Sequence, residues 1–357
     1  MHDDTGLART SEDRKEGLHV TLKQCTIDTR WQFNGLQTVR LENDCLSLMI
    51  FPQLGAKIYE FVHNASGTNL LWQNPRLAPG HLHYGMKFDD TWSGGWDELI
   101  PNDVPIPFPN GDVLPDHGEV WSQASDWRVV SHSEEEITAS FVHLGRVLPT
   151  RFEKVISLRR GESFARLHYS YTNQGPKPIQ FNWNIHPPMA ISPATRLDLP
   201  ARRGLVESWG NEQFEAGLEY AWPYAIDRAG RKIDMRIVPS PAEVVADMHY
   251  FPDVAEGWYA VTDTERQVGF GLVFPTSVLP HLWLFRAIGG WRGLNTLIVE
   301  VAAGYPTDLR EAIKGGHCGV VAPGEVVHAD VLAVAYSGIT GVERIDAAGK
   351  VIPRTRS

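Results

Sequence analysis

Four separated stretches of the sequence contain side chains that could transfer protons or bind a polar ligand. They are TWSGGWDELIPND at 91–103, LPDHGEVWSQASDW at 114–127, FNWNIHPPMAIS at 181–192 and NTLIVEVAAGYP at 295–306. Their carboxylates and imidazoles are the groups that exchange protons most readily near neutral pH. Each stretch also contains glycine or proline, which loosens or restricts the backbone, so the elements that carry these residues must also position them.

Glu300 interrupts an otherwise apolar segment, in which Leu297–Val299 precede it and Val301–Ala303 follow it. A carboxylate among such neighbours loses hydration, which raises its pKa unless hydrogen-bond donors compensate. One interpretation is a general base with a tuned pKa. The other is a structural acid that is satisfied at a strand end.

His186 ends a segment in which aromatic or apolar residues alternate with Asn182, Asn184 and the histidine itself. Alternation of this kind predicts a strand with one polar face, which either meets solvent or lines a polar pocket. Two prolines follow His186 directly. They predict that the strand ladder ends there and that His186 is held in an extended conformation.

The stretch 91–103 places Trp96, Asp97 and Glu98 after a pair of glycines. Paired glycines allow a backbone to approach a ligand closely, an indole can stack on the C–H face of a sugar, and carboxylates accept hydrogen bonds from hydroxyls. These features predict a ligand-binding segment. A tight turn with two solvated acids is the alternative interpretation.

Two further cationic or titratable side chains could contact a ligand. His117 precedes a glycine in a predicted loop, where it could donate to a ligand oxygen or could be an ordinary surface histidine. Arg286, in WLFRAIGGW, could bind a carboxylate, sulfonate or phosphate group in a bidentate manner. Its alternative role is an ion pair with an acid on a neighbouring strand.

Composition limits the class of partner. The 357 residues carry a formal net charge of -10, which argues against nucleic acid or an anionic membrane as the partner. The three cysteines form no CxxC pair and no metal-ligand spacing, which favours reduced thiols in a cytoplasmic protein. The first residues have no apolar signal segment, and no apolar run approaches the roughly 18 residues of a membrane span.

Short alternating or apolar runs, separated by turn residues, recur along the whole chain without intervening helices. They predict an all-β protein in which antiparallel sheets pack face to face. Only PTDLREAIKGG at 306–316 predicts a short helix. We expect a flexible tail over residues 1–17 and one large β-sandwich over residues 18–345, within which residues 196–250 fit a loop-rich insertion.

The order of these motifs resembles that of the aldose 1-epimerase (galactose mutarotase-like) superfamily. GGWDELIPN at 94–102 is similar to the glycine-pair segment of its hexose-phosphate epimerase branch, and HGEVW at 117–121 to the His-Gly loop of that branch. NWNIHPP at 182–188 lies where the family has its second active-site histidine, and LIVEVAAGYPTDL at 297–309 resembles the glutamate strand. The resemblance covers about residues 35–340, and residues 196–250 match poorly.

The resemblance implies a large antiparallel supersandwich and an isomerase that interconverts the anomers of a small-molecule sugar. It implies that Glu300 is the general base, that His186 is the general acid and that His117 binds the substrate and stabilises charge. Trp96, Asp97, Glu98, Trp121 and Arg286 are the remaining candidates for substrate binding. The implied reaction transfers two protons as the sugar ring opens and closes, and it requires no metal or redox cofactor.

Two departures from the family pattern affect the choice of substrate. Val301 follows the glutamate where the family often has proline, and Trp121 stands where the hexose-phosphate epimerases carry a phosphate-binding arginine. Loss of that cation favours a free aldose over a sugar phosphate. A hexose-phosphate epimerase, a non-catalytic sugar-binding protein and a polysaccharide lyase or hydrolase stay open as alternatives, because one fold hosts many chemistries.

Overall fold

A computed structural model of the chain describes residues 24–208 and 212–355. The tail predicted for residues 1–17 lies outside the described residues. Within them, three larger sheets and five two-stranded ribbons contain the paired strands, and every strand pair is antiparallel. The prediction of an all-β fold built from antiparallel sheets is therefore confirmed.

One sheet carries the candidate site, and we call it the site sheet. In spatial order its strands are Glu219–Ala221, Arg203–Val206, Val245–Phe251, His281–Ile288, Asn295–Ala302, Asn184–His186 and Asp97–Leu99, with Pro188–Met189 also paired to Asn295–Ala302. Strand order does not follow chain order, so the sheet brings together segments that are far apart in the sequence.

Two other sheets complete the framework. The long-strand sheet consists, in spatial order, of Asp126–His132, Glu136–Leu144, Thr150–Arg159, Phe164–Asn173, Val326–Ser337, Val268–Val273, Trp258–Asp263 and Thr195–Asp198. The N-terminal sheet consists of Thr26–Asp28, Val39–Glu42, Leu46–Phe51, Lys57–His63 and Thr68–Asn69.

Smaller elements connect and cover these sheets. The ribbons pair Gln32–Phe33 with Leu36–Gln37, Ile106–Pro107 with Val113–Leu114, Ile179–Phe181 with Gly319–Val321, Tyr224–Ile226 with Lys232–Asp234, and Val342–Ile345 with Val351–Pro353. The helices are Phe88–Thr91 and Leu309–Gly315, with a 3₁₀ turn at Pro241–Glu243. None of the helices in the described ranges has the length and apolar character that a membrane span requires.

Apolar side chains from all three sheets pack into one large core. Leu284 and Val299 of the site sheet join Leu167 and Phe270 of the long-strand sheet and Phe61 of the N-terminal sheet in this cluster. Full burial of a side chain of this size contributes roughly 1.5–3 kcal/mol. Since side chains alternate along a strand, the residues next to Leu284 and Val299 point to the opposite face of the site sheet, which we call its outer face.

The alternation predicted for residues 181–186 is confirmed, because Phe181, Trp183 and Ile185 all lie in the core. The prediction that the two prolines end the ladder needs a correction. The chain resumes pairing at Pro188–Met189, opposite Ile298 and Leu297. Proline cannot donate, but its carbonyl still accepts, and that of Pro188 receives the Trp72 N–H at 2.8 Å.

The helix predicted near residue 309 is also confirmed. The Asp308 side chain accepts the N–H of Arg310 at the start of Leu309–Gly315, and Gly316 ends the helix in the left-handed conformation. In residues 196–250, where we expected loops, the chain supplies Arg203–Val206, Glu219–Ala221 and Val245–Phe251 to the site sheet. The candidate site therefore depends on the segment that the sequence made hardest to interpret.

Candidate active site

A cavity of about 190 Å³ opens on the outer face of the site sheet. Its lining consists of Phe88, Asp89, Trp92, Asp103, His117, His186, Met248, Trp283, Phe285, Trp291, Ile298, Glu300 and Thr307. The cavity thus brings together Glu300, His186 and His117, which come from three separate stretches of the sequence. Within the described residues, this cavity is a space of the size of a small ligand, and side chains that can exchange protons surround it.

Glu300 reaches the cavity because of its place in the strand Asn295–Ala302. Its neighbours Val299 and Val301 are buried in the core between the sheets, so the alternating glutamate projects from the outer face. Asn184, on the adjacent strand, lies opposite Ala302. Its Nδ2 donates a hydrogen bond of 2.8 Å to Oε2 of Glu300, which fixes the carboxyl group at the cavity wall.

Burial determines the protonation state of Glu300. It raises the pKa of the carboxyl group to about 8, and the nearby charge of Asp103 acts in the same direction. The hydrogen bond from Asn184 and the charge of His117 oppose this rise without cancelling it. At neutral pH, Glu300 therefore holds a proton in the ligand-free protein.

His186 ends the strand Asn184–His186 and lies opposite Asp97 on the edge strand of the site sheet. Its ring makes edge contacts with Phe88 and Trp92, both with a centroid separation of 5.6 Å. Burial lowers its pKa well below the usual range, and the positive charges of His117 and Lys57 lower the pKa further. Among the described residues its Nδ1 has no hydrogen-bond partner, so the ring is neutral and one nitrogen is unpaired.

His117 occupies a loop whose backbone allows little variation. Its φ is +59°, and its N–H donates to the carbonyl oxygen of Asp103 at 2.7 Å. The next residue is Gly118, at which a Cβ would lie only 2.2 Å from the carbonyl oxygen of Ile100. The imidazole stacks on the ring of Phe88, with centroids 4.2 Å apart and planes within 8° of each other. The glycine of the His-Gly pair is thus a requirement of backbone geometry.

Two carboxylates hold the ring of His117 from opposite sides. Nε2 lies 3.3 Å from Oδ1 of Asp103, and Nδ1 lies 2.9 Å from Oδ1 of Asp116. Burial by itself would lower the pKa of this histidine, but Asp103, Asp116 and Asp89 outweigh that effect and raise the pKa to about 9. His117 is therefore an imidazolium at neutral pH, whereas His186 is neutral.

The sequence interpretation does not single out Asp103, Phe88 and Trp92, which line the cavity, or Asn184, which binds Glu300. Asp103 is the last residue of the stretch 91–103, and Asn184 was placed on the polar face of its strand without a role. Phe88 precedes that stretch, and Trp92 is its second residue. A polar residue two positions before His186 was a usable signal for Asn184, because the two must share a face.

Trp96, Asp97 and Glu98 are absent from the cavity lining, which corrects the expectation that they bind the ligand. Trp96 is fully buried and its Nε1 donates to Oε1 of Glu98 at 3.0 Å. Asp97 pairs with Nζ of Lys57 at 2.6 Å, also in the interior. Both acids are therefore buried in structural ion pairs or hydrogen bonds and lie outside the cavity lining.

Trp121 and Arg286 also lie outside the lining, and each has a structural role instead. Trp121 donates from Nε1 to the carbonyl oxygen of Asp116 at 2.9 Å, so it supports the loop that holds His117. Arg286 belongs to the inner face of its strand, opposite to that of Phe285. Its guanidinium binds both carboxylate oxygens of Asp247, at 2.7 and 2.5 Å, which is the ion-pair alternative considered above.

A wider, open cleft of about 650 Å³ is lined by residues such as Glu212, Arg231 and Glu243. It contains neither histidine nor Glu300. No set of three or more histidine, cysteine, aspartate or glutamate side chains within residues 24–208 and 212–355 has the arrangement of a metal site. The smaller cavity is the one whose lining contains Glu300, His186 and the charged ring of His117 around a single space.

Comparisons with known proteins were made for the whole chain. No family model matches it. It is 31% identical over 133 residues to the uncharacterized protein YphB of Escherichia coli K12, which is 37% of this chain and 41% of that protein. The match thus spans about two fifths of the length of this curated relative.

Solved structures give a longer match at lower identity. A galactose mutarotase related enzyme from Lactobacillus acidophilus is similar with a TM-score of 0.59 and 15% identity, over 84% of this chain and 97% of that one. A galactose mutarotase-like protein from Lactobacillus casei is similar with a TM-score of 0.58 and 14% identity, over 84% and 100%. The chain therefore has the galactose mutarotase-like supersandwich fold, as the motif order predicted.

Proposed function

We propose that this protein is an aldose 1-epimerase-like isomerase, which interconverts the anomers of a free aldose by opening and closing the sugar ring. The observation that carries the proposal is that Glu300, His186 and His117 line one small cavity, where their surroundings favour different protonation states. Glu300 holds a proton, His186 is neutral with an unpaired nitrogen, and His117 carries a fixed positive charge. Titratable groups whose environments separate their pKa values are the usual source of acid–base pairs.

Ring opening needs one proton removed and one supplied. The proton leaves the hydroxyl on the anomeric carbon, the bond between that carbon and the ring oxygen breaks, and the ring oxygen takes up a proton. Rotation about the bond from the first to the second carbon exposes the other face of the new aldehyde, and the reverse transfers close the ring. One proton acceptor and one proton donor on opposite sides of the sugar suffice in both directions.

Glu300 and His186 can share the single mobile proton that this cycle requires. The resemblance assigns the base to Glu300 and the acid to His186. The pKa directions of the ligand-free protein favour the opposite starting state, in which Glu300 donates to one sugar oxygen and His186 accepts from the other. The imidazolium of His117 would stabilise negative charge that develops on a sugar oxygen.

Glu300→Gln tests the proposal. An amide of the same shape cannot transfer a proton, so we expect catalysed anomer exchange to fall by about 10²–10⁴-fold, while sugar binding is retained. Exchange is measured by saturation-transfer NMR or polarimetry on freshly dissolved single anomers, and binding by calorimetry. Glu343→Gln, on an exposed strand, is the matched control and should exchange at the wild-type rate. Binding without any catalysed exchange by the wild type would instead identify a sugar-binding protein.

A further inference from the structure

Three apolar side chains form a straight row across the outer face of the site sheet. Met248 lies opposite Phe285 in the strand register, and Phe285 lies opposite Ile298. All three line the candidate cavity. The row is therefore a continuous apolar wall built from the three central strands of the sheet.

The distance of this row from the proposed chemistry follows from strand geometry. Ile298 precedes Glu300 by two residues on the same strand, so both project from the same face. Two residues of a strand span roughly 6.6 Å. A sugar whose anomeric carbon lies at Glu300 can therefore place the opposite edge of its ring against the apolar row.

The row offers almost nothing to a hydroxyl group. The side chains of Phe285 and Ile298 have no polar atom, and the Met248 sulfur is at best a weak acceptor. Backbone groups of these strands are used by the ladder between Val245–Phe251, His281–Ile288 and Asn295–Ala302. A sugar hydroxyl buried here would lose its water without gaining a partner, which is costly.

The charges of the cavity lining disfavour sugars that carry an anionic substituent. The ionisable side chains of the lining are Asp89, Asp103, Glu300, which holds a proton at neutral pH, the neutral His186 and the imidazolium of His117, whose charge Asp103 and Asp116 already oppose. Among the described residues that line the cavity there is no lysine and no arginine. A phosphate, sulfonate or carboxylate substituent would meet acids without a bidentate cation to bind it.

We propose that the substrate is a neutral 6-deoxy aldose, in which the C6 methyl group faces Met248, Phe285 and Ile298. This inference rests on the proposed function, since it takes Glu300 to act at the anomeric carbon. It narrows the substrate class from free aldoses in general to those with an apolar edge across the ring from that carbon.

The test compares sugars that differ in one hydroxyl. Single anomers of galactose and 6-deoxygalactose, and of mannose and 6-deoxymannose, each in both enantiomeric series, are given to the wild-type protein, together with galactose 6-phosphate and galacturonate. We expect at least one 6-deoxy sugar to exchange with a kcat/KM about 10–100-fold above that of its parent hexose. The charged sugars should exchange more slowly than either.

Met248→Gln then tests the apolar row itself, because it adds an amide of similar shape. We expect the ratio between the preferred 6-deoxy sugar and its hexose to fall to within about threefold, since the hydroxyl gains a partner. Leu144→Gln, at an exposed position of the long-strand sheet, should leave the ratio unchanged.

The outcomes separate the two proposals. Equal rates within every pair, or faster exchange of a charged sugar, would overturn the deoxy-sugar inference and leave the isomerase intact. Absence of catalysed exchange in all arms would overturn the proposed function. The wild-type sugar panel decides the question even if Met248→Gln fails to fold.

Discussion

Glu98 and Glu300 are buried glutamates of the same sheet that face opposite sides of it, and their surroundings differ. Glu98 faces the core, and its carboxylate contacts four donors: Trp96 Nε1 at 3.0 Å, Tyr169 Oη at 2.7 Å, Trp183 Nε1 at 3.2 Å and Lys154 Nζ at 3.1 Å. Glu300 faces the cavity, where Asn184 Nδ2 supplies the one side-chain hydrogen bond that its carboxyl group receives from the described residues.

The difference shows how one residue type acquires two roles. Four donors, including a lysine, surround the carboxylate of Glu98 and hold it within the core. At Glu300, burial with a single donor leaves the ionised form poorly stabilised, so the group keeps a proton that it can give away. The number of donors, and not burial itself, separates the structural acid from the candidate catalytic one.

The largest expected effect comes from replacing Glu98, the glutamate that faces the core. Glu98→Gln leaves Lys154 as a buried charge without its partner, and we expect the free energy of unfolding to fall by about 3–5 kcal/mol. Glu300→Gln replaces a group that is already neutral, so its unfolding free energy should change by less than about 1 kcal/mol. Urea denaturation at pH 7 measures both.

The two variants should therefore give opposite results in the stability assay and in the activity assay. Glu98→Gln loses stability and keeps its exchange activity per folded molecule, whereas Glu300→Gln keeps its stability and loses the activity. A Glu98→Gln protein as stable as the wild type would contradict the structural role of the inner carboxylate.

A smaller effect on the free energy of unfolding is expected from His117, the imidazolium that lines the cavity. The folded-state pKa of His117 is raised to about 9 from an ordinary 6.5, so its contribution to stability is fully present below pH 6.5 and is lost as the pH rises through 9. We expect His117→Asn to be less stable than the wild type by about 3 kcal/mol at pH 6, and by much less at pH 10. Unfolding free energies at pH 6, 8 and 10 check this dependence.

Asp330→Asn provides the comparison for this pH series. Asp330 contacts His168 at an exposed position, so its substitution should change stability little at any pH. A His117→Asn deficit of the same size at pH 6 and pH 10 would show that the ring acts by packing on Phe88 and not as a charge.

The smallest expected effect tests whether the single hydrogen-bond donor to Glu300 controls the pKa of that glutamate. Asn184→Leu removes the hydrogen bond that favours the ionised form of Glu300, so the pKa of that carboxyl group should rise above about 8. We expect the alkaline limb of the activity profile to move upward by about 0.5–1 pH unit. Activity between pH 6 and pH 10 measures this shift, and an unmoved limb would mean that another group controls it.

Sequence patterns located several elements correctly because those elements depend on local rules. The alternation at 181–186 identified which side chains enter the core, and Asp308 with Gly316 delimited the helix at Leu309–Gly315. Residues 196–250 are the hardest part of the sequence to interpret. The strands there are short, so periodicity is a weak signal, and their pairing partners lie elsewhere in the chain.

By itself, the sequence determined the all-β fold, the motif order and the three candidate residues Glu300, His186 and His117. Tertiary structure alone decided which acids were already used, because Lys57, which pairs with Asp97, and Lys154 and Trp183, which bind Glu98, lie far from these acids in the sequence. It also decided that Arg286 would pair with Asp247. The physical reason is that a side chain's charge state and freedom depend on its neighbours in space, which strand pairing selects and local sequence does not specify.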